Sequence, residues 1–284
     1  MDITRIGVVG AGQMGLGIAE VSARAGLAVV VVDVTEELVT AGRQRLEASL
    51  QRAVDRGKAT TGDRDAALGR MEFGVDLEAM AGCGLVVEAV VEDPGVKVGV
   101  FSRLDVIVED EAAILASNTS SIPIITLAKA TGRPGQVVGL HFFNPVPVMN
   151  LVEIVPSLET SEETIRRVTD FASSGLGKET IRAVDRAGFI VNGLLAPYLV
   201  SAIRMYENGF ATREDIDKGI ALGLNHPMGP LTLCDLVGND TVLAIADVLY
   251  EEFRDPAFAA PPLLRRMVEG GLLGRKVGRG FYEY

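Results

Sequence analysis

The first 33 residues constrain the fold of this chain more than any other segment. A short apolar run, residues 6–9, leads into the loop Gly10-Ala11-Gly12-Gln13-Met14-Gly15. Helical periodicity follows over residues 14–24, and a β-branched run over residues 28–32 ends at Asp33. Strand, glycine loop, helix and strand in this order predict a βαβ unit. Its two strands must be parallel, because a helical crossover joins them.

Apolar strand-like segments and helical segments continue to alternate up to about residue 156. We predict strands at residues 85–91, 114–116, 137–142 and 151–155, the last of these being the final strand. We predict helices at residues 36–70 with a break near 60–62, and at 96–108, 123–130 and 161–173, with Ser161 as an N-cap. This alternation indicates an α/β domain of Rossmann type, with a mainly parallel sheet covered on both faces.

The C-terminal third has a different pattern, because the strand signal fades and helical periodicity takes over. We predict helices at residues 190–208, 214–222, 230–250 and 262–269. A chain of 284 residues is long enough for two domains, and we place the linker near residues 185–188. The sequence therefore predicts a Rossmann-type domain over residues 1–185, followed by an all-helical domain over residues 186–284.

Composition argues against several classes of protein. The net charge of −11 and the pI of about 4.8 disfavour a nucleic-acid-binding protein, which usually has a basic surface. Cys83 and Cys234 form no C-x-x-C pair, so we expect no metal site and two buried thiols in a reducing compartment. Neither a signal peptide nor an apolar run of membrane-spanning length is evident. We therefore expect a soluble, cytoplasmic protein without a membrane partner.

The glycine loop is a candidate dinucleotide site, because each glycine has its own physical role. Gly10 permits the tight turn out of the strand, Gly12 lets the backbone approach a pyrophosphate, and Gly15 lets the helix pack closely on the sheet. Gln13 and Met14 open the helix, whose unpaired N–H groups and positive dipole end favour phosphate binding. A lone glycine motif is weak evidence, but the strand before it and the helix after it make this one specific.

Asp33 indicates which dinucleotide binds. It lies eighteen residues after Gly15, at the end of the next strand, where a carboxylate accepts hydrogen bonds from the adenosine ribose. A carboxylate there would repel the 2′-phosphate of NADP, and no arginine immediately follows it. The sequence therefore predicts NAD as the cofactor. The alternative is a glycine turn in a fold that has lost its cofactor.

His141 and Glu153 are candidate catalytic residues. His141 lies at the end of a predicted strand, a position that borders the ligand crevice of an α/β sheet. Glu153 interrupts the next apolar strand, where a buried carboxylate needs a partner. If the proline-rich turn near Pro147 folds the two strands together, the carboxylate can orient the imidazole for proton transfer. From spacing alone, a core histidine and a surface glutamate remain the alternative.

The whole chain resembles the L-3-hydroxyacyl-CoA dehydrogenases, and within them the bacterial 3-hydroxybutyryl-CoA dehydrogenases. The segments that carry the resemblance are residues 10–19, 87–92 with Lys97, 116–121, 141–147, 151–155, 188–195, 225–231 and 273–282. The resemblance implies NAD-dependent oxidation of a 3-hydroxyacyl-CoA to the 3-ketoacyl-CoA, and a homodimer. It makes the acyl-CoA ester the expected partner.

Site roles follow from this resemblance position by position. It implies that His141 is the catalytic base, that Glu153 pairs with it, and that Ser120 hydrogen-bonds the 3-oxygen of the substrate. It implies that Asn192 helps to hold the substrate at the domain junction. The residues that resemble the lining of the nicotinamide-ribose side are Glu92, Lys97 and Asn118. Alternatively, Asn118 is a turn residue and the serines, Ser121 above all, cap a helix.

Coenzyme A is polyanionic, and one segment offers a matching charge. Residues 41–58 contain five basic side chains and two acidic ones, although the chain as a whole is acidic. The resemblance places the adenosine-phosphate end of CoA near this helix, so Arg52, Arg56 and Lys58 are candidate ligands. A solvated helix face is the alternative for each.

Two residues depart from the family pattern near the predicted linker. Gly193 stands where the family commonly has arginine, and Ala187 stands where proline is usual. Neither departure touches His141 or Glu153, and we expect the loss of arginine at position 193 to affect the substrate range more than the activity. His226 lies between turn-forming residues, and we interpret it as structural.

Three other functions compete with the acyl-CoA interpretation. A gulonate-type dehydrogenase of the same superfamily shares the histidine–glutamate pair but acts on a sugar acid. The 3-hydroxyisobutyrate and 6-phosphogluconate group uses a helix lysine, and Lys178 follows a superficially similar glycine string. A non-catalytic NAD-binding protein would not need Ser120, His141, Glu153 and Asn192 together.

Overall fold

The computed structural model describes residues 3–284. The chain falls into two compact units, the first ending at Asp185 and the second running from Arg186 to Tyr284. Within the described residues, no helix is both long enough and apolar enough to cross a membrane.

An eight-stranded sheet forms the centre of the first unit over the described residues. The strands are β1 (Arg5–Val9), β2 (Ala28–Val32), β3 (Met71–Gly74), β4 (Leu85–Glu88), β5 (Ile114–Ser117), β6 (Val137–Phe142), β7 (Leu151–Pro156) and β8 (Glu179–Arg182). Their order is β3-β2-β1-β4-β5-β6-β7-β8, and neighbours are parallel except for the antiparallel pair β6–β7. Strands β4, β5 and β6 are buried along their whole length, which explains their continuous apolar sequences.

Four of the six α-helices described in the first unit begin with a side-chain cap. The six helices are α1 (Gln13–Arg24), α2 (Glu36–Asp55), α3 (Thr61–Leu68), α4 (Pro94–Ile107), α5 (Ile124–Ala128) and α6 (Glu162–Asp170). Thr35, Asp93 and Ser161 each accept a hydrogen bond from a first-turn amide, and Thr60 forms a capping box with Asp63. The predicted N-cap role of Ser161 is therefore confirmed.

The second unit is helical and has its own apolar core. Its helices are α7 (Val191–Glu207), α8 (Arg213–Gly223), α9 (Pro230–Val237), α10 (Asn239–Phe253) and α11 (Pro262–Glu269). The buried carboxylate of Asp235 accepts hydrogen bonds from the backbone amides of Phe281 and Tyr282, both at 2.8 Å. These bonds fasten the C-terminal segment to α9.

The predicted fold class is confirmed, but four element predictions need correction. Strands β3 and β8 were not predicted, because they lie at the two edges of the sheet and are only partly apolar. The predicted strand 85–91 ends at Glu88, whose carboxylate binds the amide of Val90 at the turn. The predicted helix 230–250 is two helices, because Gly238 adopts a φ of 103° between them.

Candidate active site

Five neighbouring parallel strands end at the same edge of the sheet, where several of the predicted site residues lie. In spatial order β2, β1, β4, β5 and β6, these strands end at or beside Asp33, Gly10, Glu88, Ser117 and His141. Four strand spacings of about 4.8 Å give this row a width of roughly 19 Å. The edge includes the point between β1 and β4 where the strand order reverses, which is where α/β sheets bind ligands.

The glycine loop has the geometry that a dinucleotide requires. Gly10 has a φ of 110°, and a Cβ atom there would lie 2.5 Å from the carbonyl oxygen of Ala89. A Cβ at Gly15 would collide with the carbonyl oxygen of Gly10, whereas a Cβ at Gly12 would meet no atom within 4 Å. Helix α1 begins at Gln13 without a side-chain cap. The loop therefore leaves open space at Gly12 and uncapped helix amides, which fit a pyrophosphate.

The carboxylate of Asp33 is hydrogen-bonded to the backbone of this loop. One carboxylate oxygen accepts the amide of Ala11 and the other accepts the amide of Val34, both at 2.7 Å. Each oxygen retains further lone-pair capacity for ribose hydroxyl groups. Helix α2 packs on the loop from outside, where Arg45 donates a 2.9 Å hydrogen bond to the carbonyl of Ala11.

A buried lysine joins two carboxylates, one at the end of β4 and one in the segment between β4 and α4. Lys97 is 1% exposed, and its Nζ lies 2.7 Å from Glu88 and 3.2 Å from Glu92. Glu88 is fully buried and also accepts a 2.7 Å hydrogen bond from the hydroxyl of Ser117. Sequence reasoning missed Glu88 and Ser117 as site residues, although Glu88 is the one charge inside a predicted apolar strand.

The loop after β5 is held by Glu92. This carboxylate accepts hydrogen bonds from the Thr119 hydroxyl, the Ser120 amide at 3.0 Å and the Ser121 hydroxyl at 3.1 Å. Burial raises the pKa of Glu92, but Lys97 and these hydrogen bonds outweigh it, so the pKa lies below its usual value. The hydroxyl of Ser120 makes no hydrogen bond within residues 3–284 and is available to a ligand.

The alternative in which these serines cap a helix is wrong. Helix α5 begins after Pro123, and its N-cap makes no side-chain hydrogen bond. The amides of Ile124 and Ile125 instead donate to the carboxylate of Asp185, at 2.8 and 3.0 Å. Asn118 is fixed at the same turn, where its Oδ1 accepts the amide of Phe142 at 2.9 Å.

His141 and Glu153 face each other across the antiparallel pair β6–β7. They are direct register partners, and Nδ1 of His141 lies 2.6 Å from Oε2 of Glu153. His141 is 6% exposed and Glu153 is fully buried, so the alternative of a surface glutamate is wrong. The ring of Phe143 packs against the imidazole with a centroid separation of 4.6 Å.

The loop that joins β6 to β7, residues 143–150, also contacts helix α1. The side chain of Gln13 donates a 2.8 Å hydrogen bond to Asn144, which precedes a cis proline. A Cβ at Gly17 would lie 2.8 Å from the Cβ of Val146, so the helix and the loop pack in close contact. The glycine loop and the loop that follows the histidine strand are thus directly connected.

The remaining predicted residues are placed as follows. Asn192 lies buried in the first turn of α7, in the second unit. Arg52, Arg56 and Lys58 are exposed at the C-terminal end of α2 and form no ion pair in the described part of the chain. By contrast, Arg43 pairs with Glu47 at 2.9 Å.

Comparison with known families decides the assignment. Residues 5–186 match the family model for the NAD-binding domain of 3-hydroxyacyl-CoA dehydrogenase. Residues 188–284 match the model for the C-terminal domain of 3-hydroxyacyl-CoA dehydrogenase. The chain belongs to the 3-hydroxyacyl-CoA dehydrogenase family. The resemblance read from its motifs is therefore confirmed.

Individual members of this family are similar to the chain over nearly its full length. A 3-hydroxybutyryl-CoA dehydrogenase of Mycobacterium tuberculosis is 59% identical over 282 residues, which cover 99% of each chain. The crystal structure of M. tuberculosis FadB2 superposes with a TM-score of 0.98, at 59% identity and 99% coverage of each chain. The (S)-3-hydroxybutyryl-CoA dehydrogenase PaaH1 of Ralstonia eutropha gives a TM-score of 0.93 at 43% identity, covering 100% of this chain and 99% of that one.

Membership of this dehydrogenase family makes the chain an NAD-dependent enzyme, so the predicted cofactor is confirmed. The open space at Gly12, the uncapped start of α1 and the carboxylate of Asp33 fit this cofactor.

We expect Asp33→Asn to weaken NAD binding about tenfold or more, because hydrogen bonds to a charged group contribute roughly 1.5–3 kcal/mol. The affinity for NADP relative to NAD should rise, since the repulsive charge is removed. Fluorescence titration with NADH and NADPH measures both affinities.

Asp170→Asn is the matched control for this variant, because Asp170 is exposed on α6 and pairs with Arg166. An Asp33→Asn variant with unchanged affinity for both cofactors would contradict the assigned role of Asp33.

Proposed function

We propose that this enzyme oxidises (S)-3-hydroxyacyl-CoA to 3-ketoacyl-CoA with NAD and catalyses the reverse reaction, with 3-hydroxybutyryl-CoA as its substrate. The observation that carries this proposal is the buried His141–Glu153 pair, at the sheet edge that also holds the glycine loop. The four-carbon acyl group is supported by the names of the similar proteins from M. tuberculosis and R. eutropha.

The cofactor-binding residues of the proposal are those of the glycine loop together with the polar positions along the same edge. They are Gly10, Gly12, Gln13, Met14, Gly15, Asp33, Glu92, Lys97 and Asn118. When bound, NAD supplies a hydride acceptor for C3 of the substrate, or a hydride donor in the reverse direction. The protein contributes position, orientation and charge.

In the proposed mechanism His141 moves the proton. The proposal takes Glu153 as a carboxylate, which only accepts hydrogen bonds, at 2.6 Å from Nδ1 of His141. Nδ1 then carries the proton and Nε2 carries the lone pair. In oxidation, Nε2 accepts the proton of the 3-hydroxyl group while hydride leaves C3. The resulting imidazolium is stabilised by Glu153, whose charge acts strongly because both groups are buried. In reduction, the imidazolium returns the proton to the 3-oxygen.

Two further polar side chains are assigned to the substrate. The hydroxyl of Ser120 would donate to the 3-oxygen, and its backbone is held for this purpose by the hydrogen bond from its amide to Glu92. Asn192, at the start of α7 in the second unit, would orient the acyl group with its amide. Both residues would position C3 and the 3-oxygen rather than transfer the proton.

The exposed cations at the end of α2 are assigned to the phosphates of CoA. Arg52, Arg56 and Lys58 have no carboxylate partner in the described residues, so their charges are available to a polyanion. They also lie near the negative end of the α2 dipole, which is the alternative reason for cations at this position. The homodimer and the cytoplasmic location stay predictions.

We expect His141→Gln to lower kcat for acetoacetyl-CoA reduction by about 10²–10⁴-fold, because glutamine cannot accept or donate the proton in the same way. The affinity for NADH should change little, since His141 is not among the proposed cofactor ligands. Absorbance of NADH under steady-state conditions measures kcat, and fluorescence titration measures NADH binding.

The matched control is His226→Gln, because the chain contains only these two histidines and His226 is exposed in a turn. A His141→Gln enzyme with nearly full kcat would overturn the assignment. Wild-type enzyme that is inactive on acetoacetyl-CoA but active on L-gulonate would favour the sugar-acid alternative.

We expect the double variant Arg52→Glu/Arg56→Glu to raise KM for acetoacetyl-CoA by roughly tenfold, because two attractive charges become repulsive. KM for acetoacetyl-pantetheine, which lacks the adenosine phosphates, should stay unchanged. Steady-state kinetics at low and high salt measure both values. The difference in KM for acetoacetyl-CoA between the variant and the wild type should shrink at high salt.

Arg103→Glu is the control for this prediction, because Arg103 is exposed on α4 and has no ion pair in the residues described. An equal rise of KM for both substrates would show that the cations do not act on the phosphates.

A further inference from the structure

Lys178 is a buried lysine that the proposed mechanism does not use. It lies directly before β8 and is 7% exposed. Its ammonium donates to the carbonyl of Val146 at 2.7 Å and to the carbonyl of Met149 at 2.6 Å. Both carbonyls belong to the loop 143–150, which joins the strand of His141 to the strand of Glu153.

The charge of Lys178 has no acidic partner in the described chain, where neither an ion pair nor a carboxylate hydrogen bond involves it. Burial, and then the nearby Arg24, lower the pKa of Lys178. Burying an ammonium group is costly unless it is well hydrogen-bonded, and an apolar side chain would avoid that cost. The two carbonyl bonds are therefore the interactions that hold this lysine in place.

The loop that Lys178 contacts joins the two strands that carry His141 and Glu153. His141 lies two residues before the loop and Glu153 three residues after it. Side chains alternate between the faces of a strand, so a slip of one residue in this hairpin would move Glu153 to the opposite face. Smaller changes in loop conformation would alter the 2.6 Å contact between imidazole and carboxylate.

We propose that Lys178 is a positioning residue, whose ammonium fixes loop 143–150 and thereby aligns His141 with Glu153 for proton transfer. This inference rests on the proposed function of the pair. Lys178 would act through the backbone carbonyls of Val146 and Met149. Its place before a strand, with both bonds on carbonyls, also separates it from the helix lysine of the 3-hydroxyisobutyrate group.

The test compares Lys178→Met, which removes the ammonium, with Lys178→Arg, which keeps a cationic donor. Lys129→Met is the matched control, because Lys129 is exposed and pairs with Glu159. Each variant is measured for kcat and KM with acetoacetyl-CoA, for NADH affinity and for thermal unfolding. The histidine ring NMR signals of ¹⁵N-labelled protein report the His141–Glu153 hydrogen bond directly, and His226 contributes the other ring.

We expect Lys178→Met to lower kcat by about 10²-fold, the loss typical of a small misplacement of catalytic groups. KM and NADH affinity should change less than kcat. The Nδ1 proton signal of His141 should shift or broaden, while the His226 signals stay in place. Lys178→Arg should restore most of kcat and the His141 signal, and Lys129→Met should resemble the wild type.

Three results would overturn the inference. The first is a Lys178→Met enzyme with wild-type kcat and an unchanged His141 signal, even if it unfolds at a lower temperature. The second is an equal loss of NADH affinity and kcat. The third is failure to fold both of Lys178→Met and of Lys178→Gln, a second variant that removes the charge but keeps a hydrogen-bond donor. That result would make the lysine a fold stabiliser. An inactive wild type would instead refute the proposed function, and the NMR measurement would still test the alignment.

Discussion

The hydrogen bond between His141 and Glu153 depends on one departure from a parallel sheet. Strand β7 runs antiparallel to β6, and only this hairpin makes the two residues direct cross-strand neighbours, twelve positions apart in sequence. The glutamate is fully buried, so the histidine is part of what makes its burial tolerable. The same contact orients the imidazole, so the stability of this part of the sheet and the proposed proton transfer depend on one interaction.

Buried charged groups are also paired with each other near the end of β4. Lys97 joins Glu88 to Glu92, and Glu92 in turn holds the loop that contains Ser120. Removing one partner of such a network would leave another charge buried without compensation, so its members are expected to act as a unit. The dinucleotide loop is connected to the histidine side by the hydrogen bond between Gln13 and Asn144. This hydrogen bond therefore links the proposed cofactor site to the loop that follows the strand of His141.

The sequence predicts those features that depend on local pattern. The glycine loop, the buried strands and Asp33 could be identified because glycine spacing and apolar runs have direct steric and hydrophobic causes. Strands β3 and β8 could not, because edge strands are partly exposed and lack a continuous apolar run. The break at Gly238 was missed because a single glycine within a helical pattern does not reveal its φ angle.

The candidate site likewise contains residues that a local sequence pattern reveals and residues that it does not. His141 and Glu153 were evident as unusual polar residues at or within apolar strands, but spacing alone left their pairing open until the antiparallel register was known. The bonds of Ser117 to Glu88 and of Lys178 to Val146 were missed, because they join residues that are 29 and 32 positions apart in sequence. Such long-range contacts are determined by the packing of whole elements, which no local pattern records.

The most direct test of the central claim, that His141 takes the proton as hydride leaves C3, is a single-turnover isotope experiment. Oxidation of 3-hydroxybutyryl-CoA is followed by NADH absorbance, with hydrogen or deuterium at C3, in H₂O and in D₂O. The account predicts that both substitutions slow the same step in the wild type, and that His141→Gln loses the solvent effect. A wild type without a solvent isotope effect, or a His141→Gln variant that retains it unchanged, would contradict the account.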